Sequence, residues 1–394
     1  MDLGDADLYL SAERYQRWRE HTEADAVLWS GPGTSPGGFW SVFSHEHCRS
    51  LFAHSAPFTS EYGMMIGFDA DHPDRSGGRM LVVSDGARHA RLRKLIGPFL
   101  SRMRAVSMED AVRREIRTHV EALCDGEVHD VATGLAPRIP AAVVCEVLDI
   151  PVGERDRLIE LTNHAFGGAD ETFDKMTPSQ AHTEILYYFN DLIARRRRRP
   201  GQDLISGMLR DQGLSASDVV INCDNVLIGG NETTRHAIAG CFEILGERPE
   251  LLTLLRERPE AVHPLIEEVL RWTSPAMHVL RVATEQVTIG GQEIAKGSAV
   301  VAWLAAANRD ERVFPEADVF RPDRQPNKHL GFGYGPHVCL GAALARLEIR
   351  LLLEALAELT DAVVVPTPPV ALRSNLVQGR RSLRVTVTPR GRVG

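Results

Sequence analysis

Apolar residues recur at three- and four-residue intervals in eight stretches of this chain, the spacing that gathers them on one face of a helix. The stretches run around Ser11 to Glu20, Arg88 to Phe99, Ser107 to Leu123, Ala141 to Leu148, Gln180 to Arg199, Asp218 to Glu247, Pro264 to Trp272 and Ala342 to Leu359. Few prolines interrupt them, so each predicts a helix. Strand signals are shorter. Val279 to Val282, Val287 to Ile289, Ser298 to Trp303 and Leu383 to Val387 are β-branched runs bounded by Gly, Pro or charge, and they cluster late in the chain. The pattern predicts a mainly α fold. No low-complexity linker and no fixed-period repeat breaks it, so residues 1–394 are expected to form a single domain.

Composition narrows the function classes. The longest uninterrupted apolar run is Ala299 to Ala307, nine residues, against roughly 18 for a membrane-crossing helix. With an acidic N-terminal stretch and no basic, apolar leader, a cytoplasmic location is expected. The formal charge of -8 gives no support to nucleic-acid binding. The run Arg195 to Arg199 closes a predicted helix just before Pro200 and Gly201, where positive charge complements the helix dipole. Six cysteines, at 48, 124, 145, 223, 241 and 339, form no CxxC pair. That pattern argues against a zinc or iron-sulfur site and against a disulfide framework. Five read as small buried hydrophobes. Cys339 differs by its neighbours.

Gly331 to Gly341 reads Gly-Phe-Gly-Tyr-Gly-Pro-His-Val-Cys-Leu-Gly, followed at once by a helical pattern containing Arg346 and Arg350. Its glycines let the backbone turn tightly and approach a flat ligand. Cys339 falls at a helix start, where free N–H groups and the dipole are expected to lower its pKa and favour the metal-ligating thiolate. At this loop the chain resembles the cytochromes P450, whose cysteine loop is Phe-Gly-x-Gly-x-His/Arg-x-Cys-x-Gly. Phe332, Gly333, Gly335, His337, Cys339 and Gly341 match it position by position. The resemblance implies that Cys339 is the proximal ligand of a haem b (heme b, iron protoporphyrin IX), that Phe332 shields the sulfur, and that His337 bonds a propionate. The fold it implies is a large helical domain with a smaller β-rich region, the haem lying between the long central helix and the cysteine-loop helix.

Distant segments carry the same resemblance. Glu268 and Arg271, three apart on a predicted helix, can reach each other. They match the family's Glu-x-x-Arg pair, and Arg324 matches the arginine that joins it. These three are assigned to fold maintenance. The helix from Asp218 to Glu247 holds Gly229-Gly230-Asn231-Glu232-Thr233-Thr234 in its middle. Two interior glycines cost a helix about 1 kcal/mol apiece against alanine, so something besides helix stability selects them. By resemblance this is the Ala/Gly-Gly-x-Asp/Glu-Thr segment beside the haem, with Glu232 and Thr233 as the acid and alcohol that relay protons to bound oxygen. A threonine bonded back to its own helix carbonyl is the alternative reading. His89 and Arg93 match the family's His-x-x-x-Arg propionate clamp, and Arg281 a third propionate ligand.

The function implied is reductive activation of O2 and insertion of one oxygen into a small organic substrate, free or carrier-bound. No Gly-x-Gly-x-x-Gly follows a strand, so a separate ferredoxin and ferredoxin reductase are implied as electron donors. Arg346 and Arg350 are candidates for the docking face of that acidic partner. Family analogy lines the substrate pocket with segments from Thr59 to Met80, Asn163 to Met176, near Leu227 and Gly230, from Pro275 to Val279 and near Leu376. Met64, Met65, Met277 and His278 fall in those segments. Enzymes that tailor specialised metabolites, antibiotics among them, resemble the Gly229 to His236 run. Hydroxylation is the expected reaction, with epoxidation and oxidative coupling as alternatives. A haem gas sensor or carrier would need neither Glu232-Thr233 nor an electron donor.

Overall fold

The computed structural model describes residues 2–53, 57–67, 69, 75–166 and 176–391, and for Phe166 its backbone only. From the N-terminus, α1 (Glu13–Glu23) leads into the hairpin β1 (Val27–Ser30) and β2 (Phe39–Val42), then α2 (His45–Ala53) and β3 (Phe58–Thr59). A helical half follows: α3 (Gly86–Ile96), α4 (Arg102–Ala122), the short β4 (His129–Asp130), α5 (Arg138–Val147), α6 (Arg155–Phe166), α7 (Pro178–Arg198) and α8 (Leu204–Leu209). The long α9 (Ala216–Glu247) comes next, then α10 (Glu250–Glu257) and α11 (Val262–Thr273). Strands β5 (His278–Ala283), β6 (Val287–Ile289), β7 (Gln292–Ile294) and β8 (Ala299–Trp303) precede α12 (Leu304–Ala307) and α13 (Ala342–Leu359). The chain closes with β9 (Thr360–Val364), β10 (Val370–Ala371), β11 (Arg380–Ser382) and β12 (Arg384–Pro389).

The eight helices expected from periodicity are all present, with ends shifted by a few residues. Helices α2, α6, α8, α10 and α12 are additional. Except for α6, with 12 residues, they have nine or fewer, and a brief amphipathic window does not distinguish a helix from a loop. The strand expectation is corrected at the N-terminus. Strands β1 and β2 enter a five-stranded sheet of order β1-β2-β8-β5-β3, in which β2 runs parallel to β8 and the other pairs are antiparallel. Pairing between residues some 260 positions apart, such as Ser41 with Val301, leaves no local signature in sequence.

Helix α9 spans 32 residues, about 48 Å at 1.5 Å per residue. It opens with a capping box, the Ser215 hydroxyl accepting from the Asp218 N–H and the Asp218 carboxylate accepting from the Ser215 N–H. Such a cap contributes about 1 kcal/mol. The helix then runs through Gly229 and Gly230 without a break. It packs against α5, α6, α7, α11 and α13. The interior of this assembly is one apolar cluster reaching from Leu92 through Phe242 to Val387. Two smaller clusters line the sheet, one around Trp303 and Phe43, the other around Leu51 and Val300.

A buried ionic cluster ties α11 to the segment leading to the cysteine loop. Arg271 donates twice to Glu268, from Nε and Nη2, at 2.8 Å each, and both residues are wholly buried. Arg324 Nε lies 3.1 Å from the same carboxylate. The Asn327 amide and the Arg321 N–H also donate to it. The remaining guanidinium hydrogens go to the carbonyls of Asn308, Ala317, Pro315, Glu316 and Val319. Charges this deep persist only when every lone pair and proton is matched, and here most are. The three residues assigned to fold maintenance thus form one unit in space.

The remaining cysteines and the arginine run behave as expected. Cys48, Cys145, Cys223 and Cys241 are buried and Cys124 is half-buried. Burial pushes the thiols of Cys145 and Cys241 up to about 12. Arg195 ends α7 paired with Glu154, and Arg196 with Asp149. Among the described residues no helix is long and apolar enough to cross a membrane.

Candidate active site

The cysteine loop owes its path to two glycines. Gly333 and Gly335 both have φ of +70°, a region that L side chains rarely adopt. A Cβ on Gly335 would also stand 2.1 Å from the Phe52 carbonyl oxygen of α2. The loop returns on itself through the Cys339 N–H, which donates to the Phe332 carbonyl at 2.9 Å. Gly341 then caps α13. The Cys339 sulfur accepts from the N–H groups of Gly341 and Ala342.

The thiol's acidity departs from the sequence expectation of a lowered pKa. Burial raises it above the ordinary value, outweighing the opposing pull of the Gly341 and Ala342 amides and the charges of Arg93 and Arg346. Helix-start amides alone therefore do not produce a thiolate here. Protein surrounds Cys339 closely, yet its side chain remains exposed. It therefore faces an internal space.

Around that space gather the residues expected to clamp carboxylates. His89 and His337 stack with ring centroids 4.0 Å apart. Arg93, one turn along α3 from His89, donates to the Val338 carbonyl at 2.8 Å. Arg281 is buried within β5, bonded to the Leu280 carbonyl and lying over the Phe52 ring. Burial pushes its pKa down to about 10. His89 is pushed down to about 4, by burial first and then by the positive charge of His337 and Arg93.

Asp85, which sequence reasoning missed, is the carboxylate within this cationic group. It lies 3.1 Å from His337 Nε2 and accepts from Thr59 and Ser60. Burial would raise its pKa, but these bonds hold it well below the usual range. Its position one turn before His89 was the available signal. His337, His89 and Arg281 gather about a single carboxylate, with Arg93 near the thiol, and this basic group, the exposed thiol and a cradle that only glycine permits fit a flat dianionic ligand whose metal takes a sulfur. Haem meets that description.

On the other side stands the middle of α9. Gly229 borders open space, whereas a Cβ on Gly230 would stand 2.5 Å from Val144 of α5. Gly229 is thus the glycine on the accessible face. The Thr233 hydroxyl donates to the Gly229 carbonyl at 3.4 Å, the bonding that sequence analysis named as the alternative. Glu232 points elsewhere. Its Oε1 accepts from Arg235 Nη2 at 2.7 Å and lies 3.4 Å from His236 Nε2. Burial would raise its pKa, but the Arg235 charge and His236 hold it below its ordinary value.

Several pocket expectations are corrected. Leu227 and Met277 are buried in packing, and Gly230 is covered by α5. His278 is wholly buried against Trp303. Its Nδ1 is 3.0 Å from the Asn375 carbonyl, and its Nε2 accepts from the Ile66 N–H at 3.2 Å. Met64 and Leu376 are half-buried and Met65 is exposed. Residues 68, 70–74 and 167–175, within the expected pocket segments, lie outside the described residues, as does the Phe166 side chain.

The proposed docking arginines are also engaged. Arg346 is paired with Glu267 at 2.6 Å and stacks on Phe332, and Arg350 is paired with Glu109 and Glu354. Neither offers an unneutralised charge to a partner.

Known proteins match this arrangement over most of its length. The family model described as Cytochrome P450 matches residues 155–359. Cytochrome P450 NovI of Streptomyces niveus is 33% identical over 399 residues, covering 98% of this chain and 96% of that protein. Mycinamicin IV hydroxylase/epoxidase of Micromonospora griseorubida is 33% identical over 341 residues, 85% of each chain. A crystal structure of P450 OxyD, involved in the biosynthesis of vancomycin-type antibiotics, is 57% identical and superposes with a TM-score of 0.95. That match covers 99% of this chain and 100% of that one.

Proposed function

Because the chain belongs to the cytochrome P450 family, we propose that it is a haem-thiolate monooxygenase that hydroxylates a precursor of a vancomycin-type antibiotic. The observation that carries the chemistry is the Cys339 thiol, held by two backbone amides and facing an internal space beside His89, Arg93, Arg281 and His337. The pathway rests on the 57% identity to a protein of vancomycin-type biosynthesis.

When bound, haem b ligated by a thiolate supplies O2 activation, the sulfur's electron density favouring O–O cleavage. This chain's residues would do the rest. Cys339 would hold the iron through its sulfur, with the Gly341 and Ala342 N–H groups moderating its charge. Arg93 and Arg281 would neutralise the propionates, and His89 and His337 would offer them hydrogen bonds. Phe332, stacked under Arg346 at 4.5 Å, keeps water from the sulfur. Thr233 presents a hydroxyl on the accessible face of α9, and the Glu232 carboxylate behind it would accept protons from the protein side and pass them on. Residues 1–394 would act as one domain, with β1, β2 and β3 sharing a sheet with β5 and β8, and β4 sharing one with β9 and β12. Electrons come from a separate ferredoxin.

The test is the absorption spectrum of the reduced, carbonyl-bound holoprotein. Thiolate ligation predicts the red-shifted Soret band characteristic of the family, lost in Cys339→Ala. A haem-loaded wild type without that band overturns the proposal. Substrate-induced spin-state shifts with carrier-bound and free precursors then address the pathway, and no shift with any of them overturns it.

A further inference from the structure

Four buried polar atoms within six residues of α9 lack a hydrogen-bond partner: Asn231 Oδ1, Glu232 Oε2, Arg235 Nε and His236 Nε2. Leaving such atoms unpaired costs stability. A concentration of them beside the expected oxygen-binding face marks a place selected for something other than stability. Glu232 is 3% exposed, and Arg235 and His236 are 5% exposed each.

We propose that His236 supplies protons to the Glu232 carboxylate, so that the route from solvent to α9 runs through the imidazole and not through Arg235. The inference rests on the monooxygenase reading above. A guanidinium stays protonated throughout the range in which proteins fold and cannot hand a proton on. Arg235 is also tied across to Asn163 of α6, which makes it a brace for Glu232. An imidazole can accept at one nitrogen and release at the other. His236 Nε2 stands 3.4 Å from Glu232 Oε1, out of hydrogen-bond alignment at rest and one small rotation from it.

The far side of the ring is equally specific. A Cβ on Gly379, the residue before β11, would stand 2.2 Å from His236 Nδ1. Glycine there leaves the room the ring fills, with Nδ1 turned toward the β11 edge of the protein. The charged groups facing His236 are Glu232 and Arg235 from α9 and Arg380 from β11. Arg380 is itself paired with Glu243 of α9 at 2.6 Å. Burial, with Arg235 and Arg380, holds the imidazole below its ordinary pKa, so the resting ring is neutral.

The step balances without an oxidant. A proton from solvent adds to Nδ1, the Nε2–H bond breaks, and that proton joins a Glu232 oxygen. The ring ends neutral in its other tautomer and Glu232 ends as a carboxylic acid.

His236→Gln keeps an N–H to offer Glu232 but cannot exchange protons, and His236→Phe removes both. In haem-loaded protein both variants should keep the carbonyl Soret band and the substrate-induced spin shift. Product formation per O2 consumed should fall about tenfold, with a larger solvent isotope effect. A readout independent of turnover is the nitrogen NMR spectrum of histidine-labelled, carbonyl-bound holoprotein, with His236 assigned by its loss in His236→Gln. A neutral ring carrying Nε2–H, whose signals move on Glu232→Gln, is expected. Wild-type coupling and isotope effect in His236→Gln, or a ring protonated at Nδ1 alone and insensitive to Glu232, overturns the inference. A wild type without the thiolate band would overturn the monooxygenase reading instead.

Discussion

Glu232 and Thr233 are adjacent in sequence but face different environments. The Glu232 carboxylate is buried against Arg235 and His236, while the Thr233 hydroxyl lies on the accessible face, 3.4 Å from the Gly229 carbonyl. Successive helical residues point about 100° apart, so a proton moving between them needs a side-chain rotation or an intervening water. Glu232→Gln and Thr233→Ala should each cut product formation about 10²-fold, the lower end for general acid catalysis. Substrate-induced spin shifts should be unchanged, which separates chemistry from binding. Equal loss of binding would instead assign both residues to the pocket.

The Glu268 carboxylate holds Arg271, Arg324, Asn327 and the Arg321 amide at once. Removing it strands two buried guanidinium groups. Glu268→Ala should therefore destabilise the protein by about 3–5 kcal/mol and lower the haem content of purified protein. Denaturant unfolding followed by circular dichroism measures the first, and the haem-to-protein absorbance ratio the second. A stable, fully loaded Glu268→Ala protein would remove the cluster from its structural role.

Gly335 combines a φ of +70° with a Cβ position 2.1 Å from the Phe52 carbonyl. Gly335→Ala incurs a left-handed backbone cost of about 1–2 kcal/mol before the clash is counted. The loop must then move off α2, and Cys339 with it. A weakened or shifted thiolate carbonyl band is expected, and an unaltered spectrum with unaltered stability would contradict the close approach.

His278 makes stability depend on pH. Burial pushes its folded pKa down to about 4 from the ordinary 6.5, and its Nε2 is already an acceptor for the Ile66 N–H. Above 6.5 the ring is neutral in both states and costs nothing. As pH falls below 6.5 the unfolded chain takes up the proton and the folded one does not. Stability should then drop by about 3 kcal/mol on reaching pH 4. The difference in unfolding free energy between wild type and His278→Gln, followed across that window, isolates this part. A flat difference would refute it.

Arg346 and Arg350 are already neutralised by Glu267, Glu109 and Glu354. Replacing both with Gln should leave the ferredoxin reduction rate at low salt within about twofold of wild type, and stability within about 1 kcal/mol per exposed pair. A large, salt-dependent slowing would restore them to the docking face.

The sequence by itself determined the cysteine loop, the long helix and the pairing of Glu268 with Arg271, because each is a local pattern. Two glycines confer a turn, a 3.6-residue period makes a face, and Glu and Arg three apart on a helix must meet. It also determined that His89, Arg93, Arg281 and His337 belong together, through motif resemblance. Tertiary structure decided what those patterns could not carry. Asp85 joins the basic cluster through contacts across 252 residues, β1 and β2 enter a sheet completed late in the chain, and His278 is core where a pocket wall was expected. Glu232 is buried against Arg235, which bonds it, and His236, 3.4 Å away, an environment set by the packing around α9. Burial also reversed the expected shift at Cys339, since desolvation of a thiolate outweighs a pair of backbone amides. Spacing along the chain fixes which residues can meet, but the dielectric they meet in depends on everything folded around them.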